Sequence, residues 1–594
     1  MRYIAILFFL FLSTGVFAQN EALANNYFEE GEYEKALRIY NKLYKKTPQV
    51  LKYLQAIVAC NQQLEHYKKA ETVLINRLNS SNNYPQLLVE LGYNFELQDS
   101  ITLAEKQYQK ALDVIEVNPT KALIIGNTFD GYSLLDWAVS AYERGMELNQ
   151  NANYNIQLAR IYGEQGHLEK MFSKYITLIE KRESYRRVAI YNFNMFITEN
   201  PDNEANILLR KALLKKIQTK PDILYNQLLS WLFIQQKDFK KAFIQEKAIF
   251  KRSEEFSLNG IIDLALIAMD EKAYDNAIEI LDYLIDVADV DITKLDAMKY
   301  KMEIAVKTTS KKNYDDIIKL FEAIFEEYGK GINTYILQIN YNHFLAFSYG
   351  QKEEAIKNLK SLSKKKLTRF QAARVKMELA DILVFDEKFN EALIYYSQIQ
   401  KKVQNNTLAQ EARFKVAQTS YFKGDFSWAQ VQLDVLKKSA SQLIANDAMQ
   451  LSLLISDNSV EDSTQTALKK YARADLLALQ FKFEEAISIL TGILKDHKGE
   501  SLEDEALLKQ ASLFEKTLQY KKAEANYLNI IEFYKEDILA DDAYFKLAEL
   551  YYSILQETEK AKEYYEQIVF NFADSIYFVE ARKKYRMLRG DDIE

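Results

Sequence analysis

The sequence is poor in the residues that build small, loop-rich or catalytic folds. One cysteine, Cys60, serves all 594 residues, so an intramolecular disulfide is excluded and stability must come from an apolar core. Cys60 sits beside Ile57 and Val58 and reads as a buried thiol. All five prolines lie at or before Pro221, leaving 373 residues (594 minus 221) to run as helices joined by short turns. The 16 glycines stand singly and form no GxxxxGK[ST], GxGxxG or GxSxG motif. Nucleotide chemistry and serine hydrolysis therefore have no local support, and no cofactor is expected. His66, His167, His343 and His497 are scattered and join no HExxH or CxxC cluster, so no metal site is expected. The acidic run at Asp286, Asp289 and Asp291 lacks calcium-loop spacing and reads as a solvated turn. Past the N-terminal residues, no apolar run is long enough for a transmembrane span. A net charge of -7 argues against nucleic acid as a partner.

What is abundant is apolar and aromatic: 48% hydrophobic residues, with 40 Tyr and 33 Phe. In residues 20–48, Ala24 and Ala36 lie twelve apart across a turn at Gly31, each amid larger apolar residues at helical spacing. That pattern makes one helix-turn-helix unit, small residue against large. Stepping by 34, Ala36 recurs as Ala70, Ala104 and Ala138, and Tyr40 as Leu74, Tyr108 and Tyr142. A fixed period of this size marks a repeat array. Leu23, Ala24, Tyr27, Gly31, Tyr33, Ala36, Tyr40 and Pro48 stand at the preferred positions of the tetratricopeptide repeat (TPR), which this stretch resembles. The resemblance implies an all-α fold, an α-solenoid of about 13 to 15 TPR-like helix-turn-helix repeats.

Along the chain, residues 1–18 read as a signal peptide: Arg2, the apolar run Tyr3 to Leu12, then cleavage after Ala18. No cysteine follows that could carry a lipid, so the expected location is the periplasm of a Gram-negative bacterium, as a soluble protein. Residues 19–182 form a regular TPR array, 183–372 divergent TPR-like repeats and 373–454 further TPR-like repeats. The stretch 455–466 reads as a polar joint, and 467–594 as a C-terminal array with a capping helix. Within the divergent part, Tyr185 to Thr198 reads as one helix with a Tyr191, Phe193, Phe196 stripe, and the unit at Glu354-Ala355 leaves little room for a standard turn. The last units, through Tyr534, Asp541, Asp542, Ala543, Phe572, Asp574, Ser575 and Ala581, are also similar to repeats of the barrel-assembly lipoprotein and the Tol-Pal coordinator.

For function, Glu500-Ser501 matches a Glu-Ser motif of exported glycan-cleaving enzymes but falls in a turn between repeats, without the fold that shapes a sugar cleft. The basic stretch Arg210 to Arg252 and Lys364 to Lys366 read as outer helix faces. Surface remains. In the TPR family the first helices line a concave groove that holds a peptide or a partner's helix. The groove position, one residue after each small residue, is filled by Asn25, Ala59, Tyr93, Asn127 and Arg160. Asn25, Tyr93, Asn127 and Arg160 are the candidate peptide-binding residues, although plain solvent exposure accounts for each. The family's carboxylate-gripping lysine is replaced by Glu21, Gln55, Val89, Leu123 and Ile156, which disfavours a chaperone co-factor role. The expectation is a non-catalytic interaction scaffold in the cell envelope. Its partners would be proteins or peptides, such as parts of an outer-membrane assembly or secretion complex. The alternatives are a cell-wall glycan-processing enzyme or its carrier domain, and a self-associating structural protein.

Overall fold

Helices account for nearly all the regular structure, and no strand occurs among the described residues of the computed structural model, which are 20–80, 83–254, 256–439, 442–459 and 465–591. The expected leader 1–18 lies outside them, as do residues 460–464 of the polar joint. The chain divides into two compact units between Leu264 and Ala265, inside the helix Asn259–Asp270. The first unit begins with residues 20–29 paired with Tyr33–Lys46. The pairs Leu51–Gln63/Tyr67–Ser80, Gln86–Glu96/Ile101–Val117, Ala122–Gly131/Leu135–Leu148 and Asn155–Glu164/Leu168–Lys181 follow, and two less regular hairpins complete it. The second unit contains Arg369–Phe385/Phe389–Lys402, Thr407–Lys423/Phe426–Ser439, a lone helix Gln442–Asp457, and Thr466–Leu479/Phe483–Asp496. Two more hairpins lead to the closing helix Phe578–Arg589. Pairing consecutive helices, without Gln442–Asp457 and the closing helix, gives fifteen hairpins among the described residues.

One local device closes most of these hairpins. A single residue between the helices takes positive φ, and the next backbone N–H donates to a carbonyl five residues back. At Gly31 (φ +78°) the bond is Glu32 N–H to Tyr27 O, 2.8 Å. At Glu65 it is His66 to Asn61, 2.7 Å; at Asp99, Ser100 to Phe95, 3.0 Å; at Ser133, Leu134 to Phe129, 2.9 Å. The turn therefore keeps the 34-residue step even where glycine is absent. At the compressed unit, residues Leu345–Tyr349 widen into a π turn and Gly350 takes φ +87°, so Gln351 N–H reaches Leu345 O and the next helix starts at Lys352 after only Gly350 and Gln351.

The small residues are there for contact. Ala24, Ala36, Ala70, Ala104 and Ala138 are all at most 1% exposed. Gly92 and Gly126 exist because tyrosines lie on them: a Cβ at Gly92 would fall on the Tyr108 ring, and one at Gly126 on the Tyr142 ring. Cys60 is fully buried, and burial pushes its thiol up to about 11.

Two expectations change. The helix expected over 185–198 runs only Arg186–Phe193, and buried Asn206 takes over the freed loop by donating to Thr198 O and Asn200 O. Of its aromatic stripe, Phe193 is buried together with Ala189, four residues before it, but Tyr191 is 71% exposed, because residues two apart on a helix lie on opposite sides of it. Of the polar stretch 455–466, residues 455–457 end the helix Gln442–Asp457 and Thr466 opens the next helix. One cluster of buried residues includes Ala417, Tyr421, Ile455, Tyr471, Ala474 and Tyr585.

Candidate interaction surface

In the five regular hairpins of the first unit, a side-chain contact joins each first helix to the next. Glu21 accepts from Lys52 and from Tyr53 Oη (2.8 Å); Gln55 Nε2 donates to Glu90 Oε1 (2.6 Å); the Tyr93 and Tyr132 rings stack at 4.3 Å; and Arg160 pairs with Asp130. These contacts form a ladder across the first-helix face. Charge follows the same division. The five first helices carry six acids against two bases, whereas the five second helices carry ten acids against fourteen bases.

The sequence-predicted residues all fall on this face, in different states. Asn25 and Asn127 are exposed, and each accepts a hydrogen bond from a core tyrosine, Tyr40 Oη and Tyr142 Oη, both at 2.7 Å. The same side chain thus tethers a buried ring and leaves its amide NH2 at the surface. Arg160 is 46% exposed and held by Asp130 and by Glu164 at 2.7 Å. Tyr93 is half-buried against Tyr132. Ala59 leaves a gap between Asn25 and Tyr93 on the column.

Glu90 is the residue that the column missed. It is 1% exposed, its Oε2 has no hydrogen-bond partner among the described residues, and burial pushes its carboxyl up to about 7 against the one stabilising bond from Gln55. Tyr132 is raised by its own burial and by the neighbouring Glu90 and Tyr93. A glutamate inside Leu87 to Phe95, an otherwise largely apolar helix, is a signal that the sequence does carry.

In the second unit three positions of the same column are acidic and used internally, while Gln418 follows Ala417 and Ser512 follows Ala511. Asp381 follows Ala380, Asp475 follows Ala474, and Glu549 follows Ala548. Each accepts from a buried tyrosine and pairs with a lysine: Tyr396 (2.6 Å) and Lys415 (3.3 Å) on Asp381, Tyr421 (2.8 Å) and Lys509 (2.6 Å) on Asp475, Tyr565 and Lys584 on Glu549. Part of this face is also covered by the chain itself. Gln480 donates to Phe385 O (2.9 Å) and Glu387 (3.0 Å), and Arg473 pairs with Glu387 (2.8 Å). Phe481 thereby joins a run of rings through Phe385 and Phe347 to His343. Beneath it remains a 290 Å³ cavity lined by Asp381, Tyr396, Lys415 and Leu479. A larger cavity of about 820 Å³ lies in the first unit between the second helices Tyr67–Ser80 and Ile101–Val117.

Glu500 is 42% exposed beside His497 (2.9 Å), and Ser501 Oγ donates to Asn458 Oδ1 (2.8 Å).

A tetratricopeptide repeat model matches residues 542–575, which span most of the last hairpin. The chain is an all-α, TPR-like repeat protein. The match falls at the C-terminal end rather than in the first 160 residues, where the 34-residue columns are most regular. Nothing among curated proteins matches the chain. Among solved structures, one described as Naa15/Naa10 bound to HypK-THB aligns over 97% of this chain and 97% of that chain, at 12% identity and a TM-score of 0.31. No helix of the described residues is long and apolar enough to cross a membrane.

Proposed function

We propose that the protein is a non-catalytic interaction scaffold that holds a protein or peptide on the first-helix face of its first unit. One contrast carries this reading. The first unit presents the exposed Asn25 and Asn127 and the half-buried Tyr93 on its first-helix face, whereas the second unit has Tyr-acid-Lys rungs at Asp381, Asp475 and Glu549 and covers part of its face with the Gln480–Phe481 turn. Amides and aromatic rings on a rigid stack of hairpins recognise a peptide backbone and side chains at small entropic cost. We place its work in the cell envelope, a reading supported by the leader-like residues 1–18. Its partners there would belong to an assembly or secretion complex.

The test is affinity capture from envelope extract with the chain lacking residues 1–18. A defined partner should be recovered, lost when Tyr93, Asn127 and Arg160 are replaced together by alanine, and kept when Lys106 and Lys110 of the second-helix side are replaced. Because Asn127 and Arg160 make internal bonds, the triple variant must first show unchanged helical circular dichroism. Loss of the partner on second-helix substitution would overturn the assignment of the face, and muropeptide release by the pure protein would overturn the non-catalytic reading.

A further inference from the structure

The first-helix face of the first unit has an acidic balance, and at its centre lies a feature that packing alone does not account for. Glu90 is buried and bonded on one oxygen only; Tyr93 lies one turn further along the same helix, its ring stacked on that of Tyr132, both rings are half-buried, and Tyr132 is near enough to feel the Glu90 charge. A buried carboxylate oxygen without a donor is costly. Stacked phenol rings offer an electron-rich surface that attracts a cation. The two groups ask for the same thing, a positively charged hydrogen-bond donor. None of the side chains bonded to Glu90, Tyr93 or Tyr132 supplies one: Gln55 is neutral, while the face's own cations, Lys52 and Arg160, are held by Glu21 and Asp130. On either side, Glu96 and Asp130 add negative charge, Glu96 accepting from Tyr108 Oη at 2.6 Å.

We propose that this face takes a basic segment of the partner, and that one lysine or arginine of that segment lays its cationic head on the Tyr93–Tyr132 pair and donates to Glu90 Oε2. The inference rests on the reading of this face as the interaction surface and names the chemistry that the surface selects. Glu90 is 1% exposed, so the Tyr132 ring, in the turn after Ala122–Gly131 and close enough to Glu90 to feel its charge, must move aside when the ligand binds. The Gln55 bond to Oε1 holds the carboxyl in place while Oε2 is engaged. Tyr93, Tyr132 and Glu90 touch the ligand, and Gln55 is a positioning residue.

The experiment is a selection of random twelve-residue peptides against the chain lacking residues 1–18, repeated with Glu90→Gln and with Tyr132→Ala. Enriched peptides should carry lysine or arginine at one fixed position. Replacing that residue by norleucine should weaken binding roughly tenfold or more. Glu90→Gln keeps the side-chain shape and should reduce the discrimination between lysine and norleucine, the remainder being the cation's contact with the Tyr93–Tyr132 rings, which Tyr132→Ala should lower in turn. Enrichment of peptides with neutral or acidic anchors, or a lysine preference unchanged by Glu90→Gln, would overturn the basic-ligand proposal and leave the interaction surface standing. Absence of any enriched peptide from the unmodified chain would overturn both.

Discussion

Replacing Glu90 by glutamine should stabilise the first unit at neutral pH, and the gain should vanish in acid. The carboxyl is 1% exposed and pushed by burial from 4.5 up to about 7. A tenfold change in a protonation equilibrium is worth about 1.4 kcal/mol, so ionising Glu90 in place costs about 3 kcal/mol. The raised value fixes the sign. Below pH 4.5 the acid is neutral in both folded and unfolded chains and nothing is lost. Between 4.5 and 7 the unfolded chain releases its proton first, so stability falls as pH rises. Above 7 the loss is complete and constant. Glutamine never ionises and preserves the shape, so the stability difference between Glu90→Gln and the parent should grow from near zero at pH 4.5 to about 3 kcal/mol at pH 8. Repeat arrays unfold piecewise, so a local probe is needed. Trp137 packs on Tyr108 and Phe129 at 5.4 and 6.0 Å, and of the three tryptophans it is the nearest in sequence to Glu90. With Trp231 and Trp428 replaced by phenylalanine, urea midpoints read from Trp137 fluorescence across this pH range measure the difference. A difference independent of pH, or a parent chain that is the more stable at pH 8, would refute the account of Glu90 as a buried, strained carboxyl.

Other substitutions test the packing and the turns. Gly126→Ala should destabilise the first unit by about 1–3 kcal/mol, since its Cβ would fall on the Tyr142 ring; thermal melts should show recovery when Tyr142→Leu is added. Ser133→Gly should stabilise by roughly 0.5–1 kcal/mol, because Ser133 holds φ +57° in a region that glycine occupies without steric cost, and urea midpoints would reveal it. Tyr396→Phe should cost about 1 kcal/mol by removing the donor to Asp381, read as a lowered melting temperature of the second unit. Phe481→Ala together with Gln480→Ala should leave the helices intact yet speed amide hydrogen exchange around Phe385 and Glu387, which the turn now covers.

The repeat was legible because its signals are local and steric. An alanine pressed between helices tolerates nothing larger, so Ala24, Ala36, Ala70, Ala104 and Ala138 print the 34-residue step directly in the sequence. Gly31 and Gly166 marked their turns for the same reason. The turns at Glu65, Asp99 and Ser133 adopt the same backbone without glycine, held by the helix-end hydrogen bonds, so no residue type announces them. The candidate column was legible too, and Asn25, Tyr93, Asn127 and Arg160 do share one face. What they do there was not, since the partners Tyr40, Tyr142, Tyr132 and Asp130 lie 15 to 39 residues away in sequence. The covering of the second unit's face is less visible still, because Gln480 meets Phe385 across 95 positions and neither residue is unusual for its own helix.

Glu90 separates packing from function more sharply than any residue on the column. Asn25 and Asn127 are explained by the tyrosines that they hold, and Arg160 by Asp130. If Glu90 were structural, glutamine at the same place would serve better at neutral pH, since it would keep the contact with Gln55 and never ionise. A side chain that burial holds away from its ionised form, with one oxygen unpartnered among the described residues, is the group on this face that a cationic ligand would satisfy. A cation at Oε2 reverses the balance: the ionised form becomes the favoured one, the carboxyl falls from its raised value, and one proton is released to solvent as the partner binds. The release should be largest at or below pH 7, where the unbound carboxyl is still substantially protonated, and calorimetry in two buffers of different ionisation enthalpy would count it. A lysine-bearing peptide selected on this face that binds with no proton uptake or release at pH 6.5 would show that Glu90 takes no part in holding it.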